Sequence, residues 1–190
     1  MKLFEDAIRN NCKVLPGDVL KIDHFLNHQL DVNLLSAGGE EFSRLFADKG
    51  VNKILTVESS GIGVACLTAI HFGCPVLYAK KVFGKNSDDA LYTVKCFSYT
   101  KGIEYDISVS AKYLGPDDRV LIIDDFLAGG NALKALIALC DKAGATVVGC
   151  GTVVEKAYQG GGDAVRAMGY QVESLAKIAS MSPEEGISFC

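Results

Sequence analysis

No run of apolar residues in this chain approaches the roughly 20 needed to cross a bilayer as a helix. Its start, MKLFEDAIRNN, sets acids where a secretory signal needs an apolar stretch, so a cytoplasmic location with no membrane partner is expected. Positive charge is not in excess. Nineteen Lys and Arg face twenty-three Asp and Glu, a net charge of −4, which disfavours nucleic acid as a partner. Seven cysteines (12, 66, 74, 96, 140, 150 and 190) are odd in number and form no C-x-x-C pair. That pattern argues against a disulfide framework and a cysteine zinc site, and most of them suit small core positions instead. There is no G-x-x-x-x-G-K-[ST] for a P-loop, no G-x-S-x-G for a hydrolase elbow, and no internal repeat. At 190 residues and 49% apolar, the chain suits one domain, 1–190, with a sizeable core.

What is present is concentrated in V-L-I-I-D-D-F-L-A-G-G-N-A, Val120 to Ala132. Four apolar residues, three of them β-branched, suit a strand buried on both faces of a parallel sheet. The strand is expected to end at Asp124 and Asp125, before a glycine-rich turn and a helix over Leu133–Ala143. Helix N-termini behind glycines offer free N–H groups to an anion, and ligands of open α/β sheets bind where strands give way to helices. Gly129 is expected to be the residue whose backbone the anion needs. Two acids beside such a nest repel phosphate, so hydroxyls or a metal are their natural partners. Phosphate, diol and Mg²⁺ together describe a sugar phosphate.

The same rhythm recurs. Strands are expected at Lys53–Val57, Pro75–Ala79, Thr146–Val154 and Tyr170–Ile178, with helices at Val64–Phe72 and Asp163–Met168. Alternating strands and helices predict an α/β fold, a mostly parallel central sheet flanked by helices. Residues 82–112 break the rhythm. Their polar lead-in, V-F-G-K-N-S-D-D, is expected to be a lid, and Tyr92–Tyr99 with Tyr105–Val109 an antiparallel hairpin. The first 35 residues read as a cap on the sheet: helix Leu3–Cys12, a Pro16-Gly17 turn, strand Val19–Ile22, then a Phe42–Phe46 helix beyond.

Ser59-Ser60-Gly61 after a strand is, alone, an ordinary strand-to-helix turn. Parallel strands would deliver it to the same sheet edge as the Asp124–Ala132 loop, where its hydroxyls and N–H groups suit a second phosphate. A Rossmann reading of Gly61-Ile62-Gly63 fails, because Cys66 replaces the third small residue and Lys80-Lys81 stand where an acid belongs. Lysines at strand ends are usually just solvated, but Lys80, Lys81 and Lys156 share the phosphate-ready edge. His24 and His28 are four apart, yet no third ligand is evident and D-H-F-L-N-H-Q-L fits an amphipathic helix. Asn27, between apolar neighbours, would need a reason to be buried.

I-I-D-D-F-L-A-G-G-N-A resembles the 5-phosphoribosyl 1-pyrophosphate (PRPP) fingerprint of the type I phosphoribosyltransferases. V-E-S-S-G-I is similar to that family's pyrophosphate loop, and A-K-K with its polar sequel to the strand and loop of its hood. V-L-K-I-D-H-F-L-N-H-Q and V-V-E-K-A-Y-Q resemble one branch, the bacterial xanthine phosphoribosyltransferases. The resemblance spans residues 3 to 189 and implies the type I fold, with residues 1–35 a small hood, 36–190 mainly core, and a flexible lid. It implies that the N–H groups of Ala128, Gly129, Gly130, Asn131 and Ala132 hold the 5′-phosphate and that Asp124 and Asp125 accept from the ribose hydroxyls. Ser59, Ser60 and Gly61 would bind pyrophosphate, with Lys81 of a neighbouring subunit, and Leu20, Asn27 and Lys156 would hold xanthine. It further implies Mg²⁺, carried mainly by PRPP rather than by protein ligands, and a homodimer. Where the superfamily often has Thr or Ser, this chain has Ala128, Gly129 and Ala132, leaving phosphate to the backbone. The implied activity is purine salvage. The alternatives are a hypoxanthine-guanine enzyme, and a PRPP-sensing regulator of the same fold, for whose DNA-binding domain 190 residues leave no room.

Overall fold

A computed structural model describes residues 1–82, 90–98 and 102–190 of the chain. The amphipathic helix α1 (Lys2–Asn11) buries Phe4 and Ile8, and a two-stranded sheet of β1 (Lys13–Leu15) and β2 (Val19–Lys21) follows. Gly17 (φ +81°) and Asp18 (φ +63°) turn this hairpin in the left-handed region. A short π-type turn, Asp23–Asn27, leads to α2 (Val32–Leu45), whose cap is Asp31, accepting from Asn33 and Leu34 N–H at 3.1 and 3.0 Å. The helix expected at Phe42–Phe46 thus begins ten residues earlier. Gly38 and Gly39 weaken helix propensity within it, but packing requires them. A Cβ on Gly38 would lie 2.8 Å from Phe4, and one on Gly39 2.9 Å from the Leu67–Thr68 backbone.

The main sheet contains β3 (Lys53–Val57), β4 (Val76–Val82), β5 (Leu91–Ser98), β6 (Ile103–Ser110), β7 (Arg119–Leu127), β8 (Thr146–Lys156), β9 (Val172–Ser182) and β10 (Gly186–Phe189), in the order β10-β9-β8-β7-β3-β4-β6-β5. The central five, β9-β8-β7-β3-β4, are parallel, and the antiparallel β5–β6 hairpin pairs Tyr92 with Val109 and Ser98 with Ile103. The lid expected from the polar lead-in falls on residues 83–89, outside the described residues, as do 99–101 at the hairpin tip. Helices α3 (Gly61–Phe72), α4 (Asn131–Ala143) and α5 (Gly161–Ala167) complete the layers. On one face of the sheet Val120, Ile122 and Leu55 pack with Leu136 and Leu139 of α4. On the other, Ile54, Leu121 and Ile123 pack with Phe42, Phe46 and Val64, and with Leu20 and Leu26 of the N-terminal cap.

Further elements differ from expectation. β7 does not stop before the two acids but continues through Asp124 and Asp125 to Leu127, because its ladder with β8 persists to Leu127↔Glu155. The final strand runs four residues beyond Ile178, and Ser182–Gly186 returns it as an antiparallel hairpin with β10. Lys13–Leu15 pairs as a strand although three residues are too few to show a period.

Candidate active site

The sheet order reverses between β3 and β7: the chain steps from β3 outward to β4 on one side and from β7 through β8 to β9 on the other. Loops after adjacent strands on either side of such a switch diverge and leave a crevice. The loop after β3 carries Ser59 and Ser60, and the loop after β7 carries Ala128 to Gly130. The start of α3 packs closely on the ends of β3 and β7, since a Cβ on Gly61 would fall 2.3 Å from Thr56 Oγ1 and 3.1 Å from Asp124 Oδ1. Glycine is required there by contact, at the first position of α3. Neither Ser59, exposed, nor Ser60, half-buried, has its hydroxyl spent on capping that helix.

The second loop is held from below. Gly130, rather than Gly129, is the left-handed residue (φ +79°), and it starts α4 without a side-chain cap. The N–H groups of Asn131 and Ala132 belong to the first helical turn, where intrahelical acceptors are lacking. The Asn131 side chain reaches across to donate to the Phe97 carbonyl at 3.1 Å. The loop rests on α5: a Cβ on Gly161 would meet the Ala128 carbonyl oxygen at 2.0 Å and Gly130 N at 2.5 Å. Beneath α5, buried Glu155 takes Arg166 bidentately at 2.9 and 3.0 Å and accepts from Ser174 Oγ at 2.5 Å. Burial pushes the Glu155 carboxyl up, but Arg166, Ser174 and Lys177 outweigh it and hold it below the usual carboxylate range.

Asp124 is not at an exposed strand end but is 3% accessible, its Oδ1 accepting Asp125 N–H at 3.0 Å, while Asp125 is half-buried. Burial, and then the Asp125 charge, push the Asp124 carboxyl well above the usual range, and Lys81 acts in the opposite sense. Lys81 is exposed, with its ammonium 5.7 Å from the Tyr105 ring centre. Its backbone N–H donates to Glu58 Oε1 at 2.6 Å, tying the β3 loop to β4.

On the opposite face lies Lys156, at the end of β8 beside the start of the phosphate-ready loop. It is 8% accessible, donates to the Asp18 carbonyl and sits 5.8 Å from the Phe126 ring centre. Leu20 of β2 is buried close by in sequence to that turn, whereas Asn27 is exposed at the end of the π-type turn, so its amide needs no buried partner. Three residues on, Leu30 touches α3 so closely that a Gly63 Cβ would be 2.7 Å from its Cδ1. His24 and His28 are both exposed, and among the described residues no three His, Cys, Asp or Glu side chains are grouped to hold a metal.

Sequence reasoning singled out the loops and Lys156 but missed Asp18, Glu58, Phe126, and the Glu155–Arg166 pair. Glu58 adjoins the serine motif and could have been found there. Asp18 and Arg166 gave no signal, because their partners lie 138 and 11 residues away.

A switch-point crevice with an anion-ready helix start and an acid pair defines a protein that handles a phosphorylated sugar. The chain belongs to the phosphoribosyltransferases: the family of the phosphoribosyl transferase domain matches residues 37–172. A protein named xanthine phosphoribosyltransferase from Bifidobacterium longum subsp. infantis is 52% identical over 187 residues, 98% of this chain and 97% of that one. One of the same name from Lachnoclostridium phytofermentans is 50% identical over 186 residues, covering 98% and 96%. In fold the chain is similar to the APRTase of Giardia lamblia, solved with 9-deazaadenine, at a TM-score of 0.78 and 24% identity over 92% of this chain and 97% of that one.

Proposed function

We propose that this chain is a cytoplasmic purine-salvage enzyme that converts xanthine and PRPP into xanthosine 5′-monophosphate and pyrophosphate. The observation that carries the proposal is the buried Lys156 ammonium, one strand from the Ala128–Ala132 nest and the acid pair. Half of this chain's residues are identical, end to end, to proteins named for that activity. In this reading the N–H groups of Ala128 to Ala132 hold the 5′-phosphate. Asp125, the more accessible acid, faces the ribose hydroxyls with Asp124 behind it. As the C1′–O bond breaks, ribose gains positive charge and pyrophosphate carries negative charge away. The acids oppose the first, and the Ser59–Gly61 amides with the Lys81 ammonium receive the second. Little covalent help is required, because N9 of a bound purine already faces C1′.

Mg²⁺ brought in by PRPP fits this site, where the Asp124 and Asp125 carboxylates could complete a shell of substrate oxygens. When bound, it would neutralise charge on the diphosphate. Leu20 and Asn27 complete the base pocket. Lys156 has only donors, so it donates to a purine 6-oxygen and disfavours an amino group there. A second copy of the chain suits the outer face of α3: that helix is apolar all round, yet Cys66 and Ile70 are exposed, Ile70 by 71%. Sedimentation should give a homodimer, and Ile70→Glu should dissociate it. The function is tested by product formation from PRPP and Mg²⁺ with xanthine, guanine, hypoxanthine and adenine in parallel. Xanthine should be used most efficiently, and equal use of guanine or hypoxanthine would overturn the base assignment.

A further inference from the structure

Among the described residues Asp18 is the non-glycine residue with positive φ, +63°, a conformation Asp tolerates better than most. All its acceptors turn to one short segment. Its carbonyl oxygen receives Lys156 Nζ, one carboxylate oxygen receives the Tyr158 hydroxyl, and the other receives Gln159 Nε2. That second oxygen is also 3.6 Å from Lys156 Nζ. An N-terminal turn and the end of β8, 138 residues apart, are thereby joined through a single residue. The ammonium so held is almost without solvent, and a buried cation without fixed partners is costly.

We infer that Asp18 is a specificity-determining positioning residue: it aims the Lys156 ammonium and fixes the β1–β2 turn against it, so that the pocket takes a base with a carbonyl oxygen facing Lys156 and rejects one with an amino group. The inference rests on the reading that Lys156 contacts the base. A lysine on a four-carbon stem can otherwise swing aside from a mismatched group. Asp18 removes that freedom from both ends. Its carbonyl orients the ammonium, and its carboxylate anchors the segment through Tyr158 and Gln159. The remaining ammonium protons then point where only an acceptor is tolerated, and an amino group there leaves a buried donor unpaired.

The experiment compares wild type, Asp18→Gly, Asp18→Asn and Tyr158→Phe for KM and kcat with xanthine, adenine and PRPP. Asp18→Gly keeps the left-handed backbone and the carbonyl but loses the carboxylate. It should raise KM for xanthine about ten-fold and narrow the xanthine-to-adenine ratio of kcat/KM by a similar factor, leaving KM for PRPP within about two-fold. Asp18→Asn, with one side-chain oxygen retained, should recover most of the ratio. Tyr158→Phe, away from the strained turn, should narrow it by a smaller factor, and it carries the test if Asp18→Gly does not fold. An unchanged ratio in both Asp18→Gly and Tyr158→Phe, or a KM for PRPP that rises with that for xanthine, would overturn the inference. The proposed function fails separately: wild type would then transfer to no base, or Lys156→Gln would leave xanthine kinetics intact.

Discussion

The two halves of the crevice are built by different means. The proposed phosphate side is backbone: a left-handed Gly130, the first turn of α4 and the close contact of Gly161, all but the last within five consecutive residues. The proposed base side rests on side chains: Asp18 of the β1–β2 turn, Phe126 of β7 and Lys156 of β8 meet across the chain. A backbone nest is insensitive to side-chain identity and fails when the chain path moves. A side-chain pocket keeps its path under substitution and changes what it selects.

The largest effect should come from undermining the phosphate side at its support. Arg166→Ala strands the buried Glu155 carboxylate, and breaking such a pair costs about 3 kcal/mol or more. Because Arg166, Ser174 and Lys177 together hold Glu155 below the usual carboxylate range, the stabilisation is complete above that range. It is lost as pH falls through it toward the folded value. Chemical denaturation across pH should therefore show the gap between Arg166→Ala and wild type closing in acid. Next, Gly161→Ala puts a methyl 2.0 Å from the Ala128 carbonyl oxygen and must shift the loop. A displacement of that order costs about a hundred-fold in kcat/KM for PRPP, with xanthine binding by calorimetry much less affected.

Lys156→Gln tests the other half. A charged donor to an acceptor is worth about 1.5–3 kcal/mol, so xanthine use should fall by roughly ten- to a hundred-fold. PRPP affinity without base should stay near wild type, and a fall in PRPP affinity instead would erase the distinction between the two sides. The smallest effect is expected where the halves meet. Burial and Asp125 raise the Asp124 carboxyl, so the folded state holds that proton more tightly than the unfolded chain does. Wild type thus loses stability as pH rises from the ordinary carboxylate range through the raised folded value. Asp124→Asn avoids that loss. It should melt higher than wild type at neutral pH, match it in strong acid, and turn over about ten-fold more slowly for want of one acceptor charge.

The contrast also explains what could be read in advance. The run Val120–Ile123, the glycines after it and the Ala/Leu pattern beyond are local, and a strand, a loop and a helix follow one another there in the expected order. The acid pair was misread as a strand end because a ladder that continues through polar residues carries no apolar signal. α2 runs through Gly38 and Gly39, which lower helix propensity locally, and the reason for these glycines is contact with Phe4 and α3, distant in sequence. Asn27 stands beside apolar residues and would need a reason to be buried; the π-type turn places Phe25 and Leu26 inward and leaves Asn27 outside.

By itself the sequence determined the elements that local chemistry dictates. They are the alternation of apolar runs with helical patterns, the glycines that free a helix start for an anion, and the family motifs that lie within short windows. Tertiary structure alone decided that Asp124 is buried, that the loop after β7 rests on α5, and that Asp18 meets Lys156. The physical reason is range. A turn or a helix cap is settled by interactions among a few neighbours, whereas burial and ion pairing depend on which strands lie side by side. That order, reversing between β3 and β7, follows from packing the whole sheet at once.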